Sequence, residues 1–192
     1  MGIRTCTLIV HSISGVYGLY LAEQYPEKVL GFIGVDISVS KQADLFDYDQ
    51  FVPELDSYHA IGALPAERIT REKHPEFHVY CTDYEYSKED QALFLQLSRN
   101  MYNGTIQDEW KHLHRNFALL RGHTFPDDLP VLLFVAESGR EDLDNWVEIH
   151  QEMLVSDLHR MITFDGPHAL YREHLNDMMP DIEAFLANIF TP

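Results

Sequence analysis

A serine stands where a strand gives way to a helix. In the segment Val10-His11-Ser12-Ile13-Ser14-Gly15 the apolar, β-branched run Arg4 to His11 stops at Ser12, and Tyr17, Leu21 and Tyr25 then recur at helical spacing. A sharp turn between strand and helix lifts a side chain clear of the backbone at the carboxyl end of a sheet, and a serine held there is placed for nucleophilic attack on an acyl carbon. Such a turn packs helix tightly against strand, so small residues are wanted two before and two after the nucleophile. Ser14 meets that demand and Val10 does not. Choosing Ser14 as nucleophile would instead put the branched Val16 into the helix contact, which favours Ser12. The backbone N–H of Ile13, at the helix N-terminus, is then the expected oxyanion donor. The plainer reading of Ser12, a residue capping the following helix, loses ground only if a base and an acid stand in the right places.

A serine hydroxyl needs a base within hydrogen-bond reach. Of the 11 histidines, His168 is the strongest candidate, because it follows the late apolar run His159 to Phe164 through Asp165-Gly166-Pro167, a loop that delivers its side chain to the same sheet edge. His11 precedes the serine and is expected to point away from it. His112 and His114, two apart on a helix, face different directions and form no zinc pair. The third member is a carboxylate that orients the imidazole. Glu137, directly after the run Pro130 to Ala136, is the first choice by the chain order Ser, acid, His; Asp142, slightly further into the loop, and Asp36, at the end of Val29 to Val35, are alternatives.

The elements that must position these residues follow from the same patterns. A strand over Arg4 to His11, a helix over Val16 to Tyr25 closed by Pro26, and a strand over Val29 to Val35 make a βαβ unit. Its strands are parallel and buried on both faces, which predicts an α/β fold with a right-handed crossover. From Lys41 to about His78 the pattern is irregular and acidic, and helical spacing returns over Lys88 to about Leu120. Strands over Pro130 to Ala136 and His159 to Phe164 flank a helix near Trp146 to Leu154, and a terminal helix runs from Pro180 to Phe190 with Ile182, Phe185, Leu186 and Ile189 on one face. The simplest organisation is a core of residues 1–40 and 125–192 with a helical cap inserted at 41–124. Tyr48, Phe51, Tyr58, Phe77, Tyr80, Tyr84 and Tyr86 are then possible pocket lining, with Asp83 and Glu85 able to meet a cationic group, though packing and solvent are the commoner fates of such residues.

Composition excludes several functions. With 31 acidic against 14 basic residues in 192, the formal charge is −17, which disfavours nucleic acid and anionic membrane surfaces as partners. At 45% hydrophobic and 12% aromatic residues the chain has enough apolar surface for a core. No run approaches the roughly 20 apolar residues of a membrane span, and no leader pattern opens the chain, so a cytoplasmic protein is expected. Two distant cysteines, Cys6 and Cys81, suggest neither a disulfide framework nor a zinc site. The lack of G-x-G-x-x-G and of G-x-x-x-x-G-K-[ST] leaves no cofactor expected.

The run VHSISGVYGLYLAEQYPEKVLGFIGVD, the strand PVLLFVAES and the loop FDGPHAL together resemble the α/β-hydrolase superfamily, over the whole chain, as its carboxyl-terminal portion. The resemblance implies a mostly parallel sheet flanked by helices with an inserted cap, and a serine hydrolase in which Ser12 attacks, His168 carries the proton and Glu137 steadies it. Its expected partner is a small-molecule acyl substrate, an ester, amide or related compound. The sequence departs from the family at Val10, where glycine is usual, and at Ser138 and Gly139, near which the family's aspartate usually falls. Haloalkane dehalogenase chemistry is disfavoured, because it normally places an aspartate where Ser12 stands. The family also carries strands before the serine turn and a second oxyanion donor on a loop among them. Starting at the serine strand, the chain is therefore expected to be slow and prone to self-association, and a noncatalytic relative that only binds ligands is the alternative reading.

Overall fold

The computed structural model describes residues 2–44, 52–78, 86–101, 103–137 and 145–190. Among these, four parallel strands form one sheet in the order β1 (Cys6–His11), β2 (Val29–Val35), β3 (Val131–Ala136), β4 (His159–Phe164). The register sets His11 opposite Val35, Val35 opposite Phe134, and Ala136 opposite Phe164, so the carboxyl ends of all four strands lie along one edge. Helix α1 (Ser14–Gln24) makes the β1-to-β2 crossover and ends just before Pro26. The chain divides into two compact units, one of residues 1–46 and 116–192, the other of residues 47–115.

In the first unit the alternation of β2 decides which helix each face receives. Val35, Ile33 and the neighbouring Leu132, Phe134 and Ala136 of β3 form one apolar cluster with Leu170 and Met178, against which Ile182, Phe185 and Leu186 pack. The last four of these belong to helix α7 (Leu175–Phe190). A side chain on Gly31 would collide with Ile189 at 2.3 Å, so that glycine lets α7 lie close on the strand. The opposite face of β2 carries Phe32 toward α1 and Phe125. Phe32, Phe125, Phe134, Ile33 and Leu132 are all buried, and each such side chain contributes roughly 1.5–3 kcal/mol relative to exposure.

Three stretches differ from the sequence reading. Helix α7 starts at Leu175 rather than at Pro180, which lies inside it. Burial of Met178 in the cluster offsets the hydrogen bond that the proline cannot make. The acidic stretch after Lys41 contains a helix, α2 (Val52–Gly62), in which Pro53 sits in the first turn, where a missing N–H costs nothing. The helical stretch from Lys88 is three helices, α3 (Lys88–Met101), α4 (Gly104–Lys111) and α5 (Leu113–Leu119). Asn103 caps α4, accepting from the Thr105 and Ile106 amides at 2.9 and 3.1 Å.

Within the second unit, Arg99 of α3 donates to the carbonyls of Gly62 and Leu64, both at 2.9 Å, closing the end of α2. Phe77 is fully buried and meets Tyr58 edge-on, which makes it core rather than pocket lining. Tyr86 packs edge-on against Phe94. Tyr48, Phe51, Tyr80, Tyr84, Asp83, Glu85 and Cys81 lie outside the described residues. Among the described residues no helix is long and apolar enough to cross a membrane.

Candidate active site

Three side chains from three strand ends meet at the carboxyl edge of the sheet. Ser12 is the first residue beyond β1, with φ of +56°. That conformation is unusual for a residue with a side chain, and the surroundings impose it. Its carbonyl accepts the amides of Gly15 at 2.9 Å and Ser38 at 2.8 Å, tying the turn both to α1 and to the segment after β2. A Cβ on Gly15 would sit 2.5 Å from Ile37 Cβ, so only glycine allows this approach. Gly18, one turn on, admits the Phe32 ring, which a Cβ there would meet at 2.8 Å, while Val10 Cγ1 would stand at an ordinary 3.4 Å.

His168 reaches this turn from the loop after β4. Its Nε2 lies 2.9 Å from Ser12 Oγ, and its Nδ1 lies 2.6 Å from Asp36 Oδ2. Asp36 is the first residue beyond β2, with φ of +42°, and is completely buried. Its other oxygen, Oδ1, accepts the Ala136 amide at 2.9 Å and the Trp146 indole N–H at 2.8 Å. Burial pushes the Asp36 carboxyl upward, but the hydrogen bonds from His168, Trp146 and the Ala136 amide together outweigh it and hold the group below the usual carboxylate range. An ionised carboxylate only accepts, so His168 Nδ1 carries the proton and Nε2 presents its lone pair to the Ser12 hydroxyl. The arrangement can take a proton from Ser12 and stabilise the resulting imidazolium. The Ile13 amide, one residue on, donates to no acceptor among the described residues.

Glu137, the first choice for the acid, is not in this cluster. Its carboxylate accepts the Thr163 hydroxyl and its amide donates to Phe164 O at 2.9 Å, both on β4. The physical reason is strand order. β2 adjoins β1, whereas β3 is one strand further away, and strands lie about 4.8 Å apart. Asp36, held open as an alternative, is the carboxylate that meets His168; Asp142 lies outside the described residues.

Sequence reasoning missed four further residues. His11, expected only to point away from Ser12, supports the base: its Nε2 donates to His168 O at 3.0 Å, its ring lies 4.6 Å from the His168 ring, and Tyr171 meets it edge-on. Burial lowers its affinity for a proton, against the pull of that carbonyl. Trp146, the first residue of helix α6 (Trp146–Gln151), and the fully buried His150 of the same helix flank the acid. No motif marks either; a tryptophan and a histidine one helical turn apart read as ordinary core. His174 stacks on Phe164 and places Nε2 2.9 Å from Asp165 O, bracing the loop that carries His168. That carbonyl, and secondarily Asp177, raise its affinity for a proton.

No protein-family model and no curated protein matches this chain. Solved structures do. A point mutant of a candidate epoxide hydrolase from Pseudomonas aeruginosa, with MFA bound, is 14% identical over 98% of this chain and 68% of its own, with a TM-score of 0.68. A candidate alpha/beta hydrolase from Nostoc sp. is 14% identical over 96% of this chain and 67% of its own, at 0.62. Haloalkane dehalogenase from Bradyrhizobium elkani is 17% identical over 98% of this chain and 69% of its own, at 0.57. At such identities the likeness speaks for the fold, and the chain, spanning about two thirds of the length of these structures, has an α/β-hydrolase-like fold.

Proposed function

We propose that this protein is a serine hydrolase of small acyl compounds, esters, amides or their relatives. Ser12 attacks the acyl carbon as His168 Nε2 takes its proton, and Asp36 holds the imidazole in the required tautomer and offsets its positive charge. The Ile13 N–H donates to the oxyanion at the positive end of α1. His168 then returns the proton to the leaving group, and water repeats the sequence on the acyl-enzyme. The observation that carries the reading is the unbroken chain Ser12 Oγ, His168, Asp36, with contacts of 2.9 and 2.6 Å. The fold alone does not choose the chemistry, since epoxide hydrolase, alpha/beta hydrolase and dehalogenase names all occur among the similar structures. A serine rather than an aspartate at position 12 favours acyl transfer over dehalogenation.

In the same reading residues 41–124 serve as a cap that selects the substrate, and the protein works in the cytoplasm. The test is labelling with a fluorophosphonate probe. The folded chain is expected to be modified at Ser12 and the Ser12→Ala variant to stay unlabelled. A folded, monodisperse chain that never labels would overturn the proposal, and ligand binding insensitive to Ser12→Ala would then favour a noncatalytic relative.

A further inference from the structure

His150 is a fully buried titratable residue to which the proposed reaction assigns no task. Its ring meets the Trp146 indole edge-on at 4.5 Å, and its two nitrogens face carbonyl oxygens, Nδ1 at 2.7 Å from Trp146 O and Nε2 at 2.8 Å from Ile37 O. Both contacts lead to Asp36. Ile37 follows Asp36 in the chain, and Trp146 donates its indole N–H to Asp36 Oδ1. The ring thus spans the two segments that present the acid, the turn after β2 and the start of α6.

The two carbonyls are not equivalent. Trp146 O lies one helical turn before His150, where the ladder of α6 directs an amide. Ile37 is buried, and His150 Nε2 is the sole donor to its carbonyl among the described residues. A buried carbonyl without a donor is costly, which assigns the ring proton to Nε2. Burial holds the ring's affinity for a second proton below the usual imidazole value, against the pull of the Trp146 and Ile37 carbonyls and the Asp36 carboxylate; the Ile37 contact stands in either case. Asp36 needs such a hold, because its positive φ persists only if its neighbours impose it.

We propose that His150 is a positioning residue for Asp36: by donating from Nε2 to Ile37 O it fixes the strained turn that points the carboxylate at His168. The proposal rests on the serine-hydrolase reading for its effect on turnover, but its geometric content can be tested separately. The variants are His150→Gln, whose amide nitrogen reaches the place of Nε2, and His150→Asn, whose amide is too short to do so. Two quantities are read in each: kcat and KM on an activated ester, and the strongly downfield proton resonance of the His168 to Asp36 hydrogen bond. His150→Asn is expected to lose or shift that resonance and to lower kcat on the order of 10- to 100-fold with KM little changed, the size of effect a small misplacement produces. His150→Gln is expected to keep both. Equal behaviour of the two variants, with resonance and kcat preserved, overturns the proposal.

A third measurement needs no variant, and so holds if His150→Asn fails to fold. In the wild-type chain a long-range proton–nitrogen spectrum should show His150 Nε2 protonated, and a bare Nε2 overturns the assignment. If the resonance responds as expected while no turnover depends on Ser12, the hydrolase reading falls and the positioning role survives.

Discussion

Ser12 and Asp36 occupy corresponding places on adjacent strands. His11 pairs with Val35 in the β1–β2 register, and the next residue on each strand turns out of the sheet with positive φ, +56° at Ser12 and +42° at Asp36. The Ser12 amide approaches Val35 O at 3.4 Å, and Ser38 N donates to Ser12 O at 2.8 Å, so the two turns are bonded to each other. Ser12 and Asp36 are therefore set by one piece of backbone, and His168 bridges their side chains.

The choice between the two carboxylates is the first prediction. Asp36→Asn should lower kcat/KM by about 10⁴-fold, the loss expected when the imidazole tautomer is no longer fixed. Glu137→Gln should stay within about threefold, since Glu137 bonds to Thr163 and not to His168. Steady-state rates of the two variants on one ester decide it, and the reverse ranking would restore Glu137.

His11 supplies a second prediction. Its Nε2 donor to His168 O is replaced in kind by His11→Gln and removed by His11→Phe. The glutamine variant should retain most activity and the phenylalanine variant lose about 10-fold, comparable to one hydrogen bond of about 1–1.5 kcal/mol. Equal rates in the two would show the donor to be dispensable.

Stability should depend on pH through Asp36. Its folded-state affinity for a proton lies below that of the unfolded chain, so its contribution is fully present above the usual carboxylate range and is lost as pH falls through the lower, folded value. Asp36→Asn should therefore be less stable than wild type near neutral pH, by about 2–3 kcal/mol for hydrogen bonds to a charged group, and the gap should narrow in acid. Denaturant melts at several pH values measure this, and a gap that widens on acidification contradicts it.

Gly15→Ala tests the serine turn itself. The added carbon would lie 2.5 Å from Ile37 Cβ and 3.0 Å from Ser38 O, so backbone must shift. A loss of about 1–3 kcal/mol is expected, together with slower probe labelling of Ser12 than stability alone explains. Urea melts and labelling rates, compared at equal folded fraction, check both.

Much of this architecture was legible from pattern. The βαβ unit, all four strands and the serine and histidine ends of the cluster follow from apolar periodicity and from where the runs stop. The carboxylate that meets His168 was not, because Glu137, Asp142 and Asp36 all satisfy the chain order Ser, acid, His, and only the folded contacts bring Asp36 to the imidazole. His11, Trp146 and His150 escaped for a related reason. Each acts through contacts between residues 110 to 157 positions apart, which local spacing does not encode. Helix α2 was hidden by its acids and by Pro53, a residue that breaks a helix in its middle but is welcome in its first turn.

In the proposed serine-hydrolase reading, placing the acid on β2 also divides the labour of the chain. The proposed nucleophile, oxyanion donor and acid all fall between Ser12 and Asp36, on the turn after one strand, the start of a helix and the end of the next strand, and His168 alone arrives from downstream. The unit of residues 47–115 begins only after that block is finished. An insertion there can be lengthened, shortened or exchanged without altering the spacing of nucleophile and acid, and the loop after β3 is released from supplying a carboxylate. In that reading chemistry and selectivity are written on separate stretches of sequence, which leaves the second free to diverge while the first stays fixed.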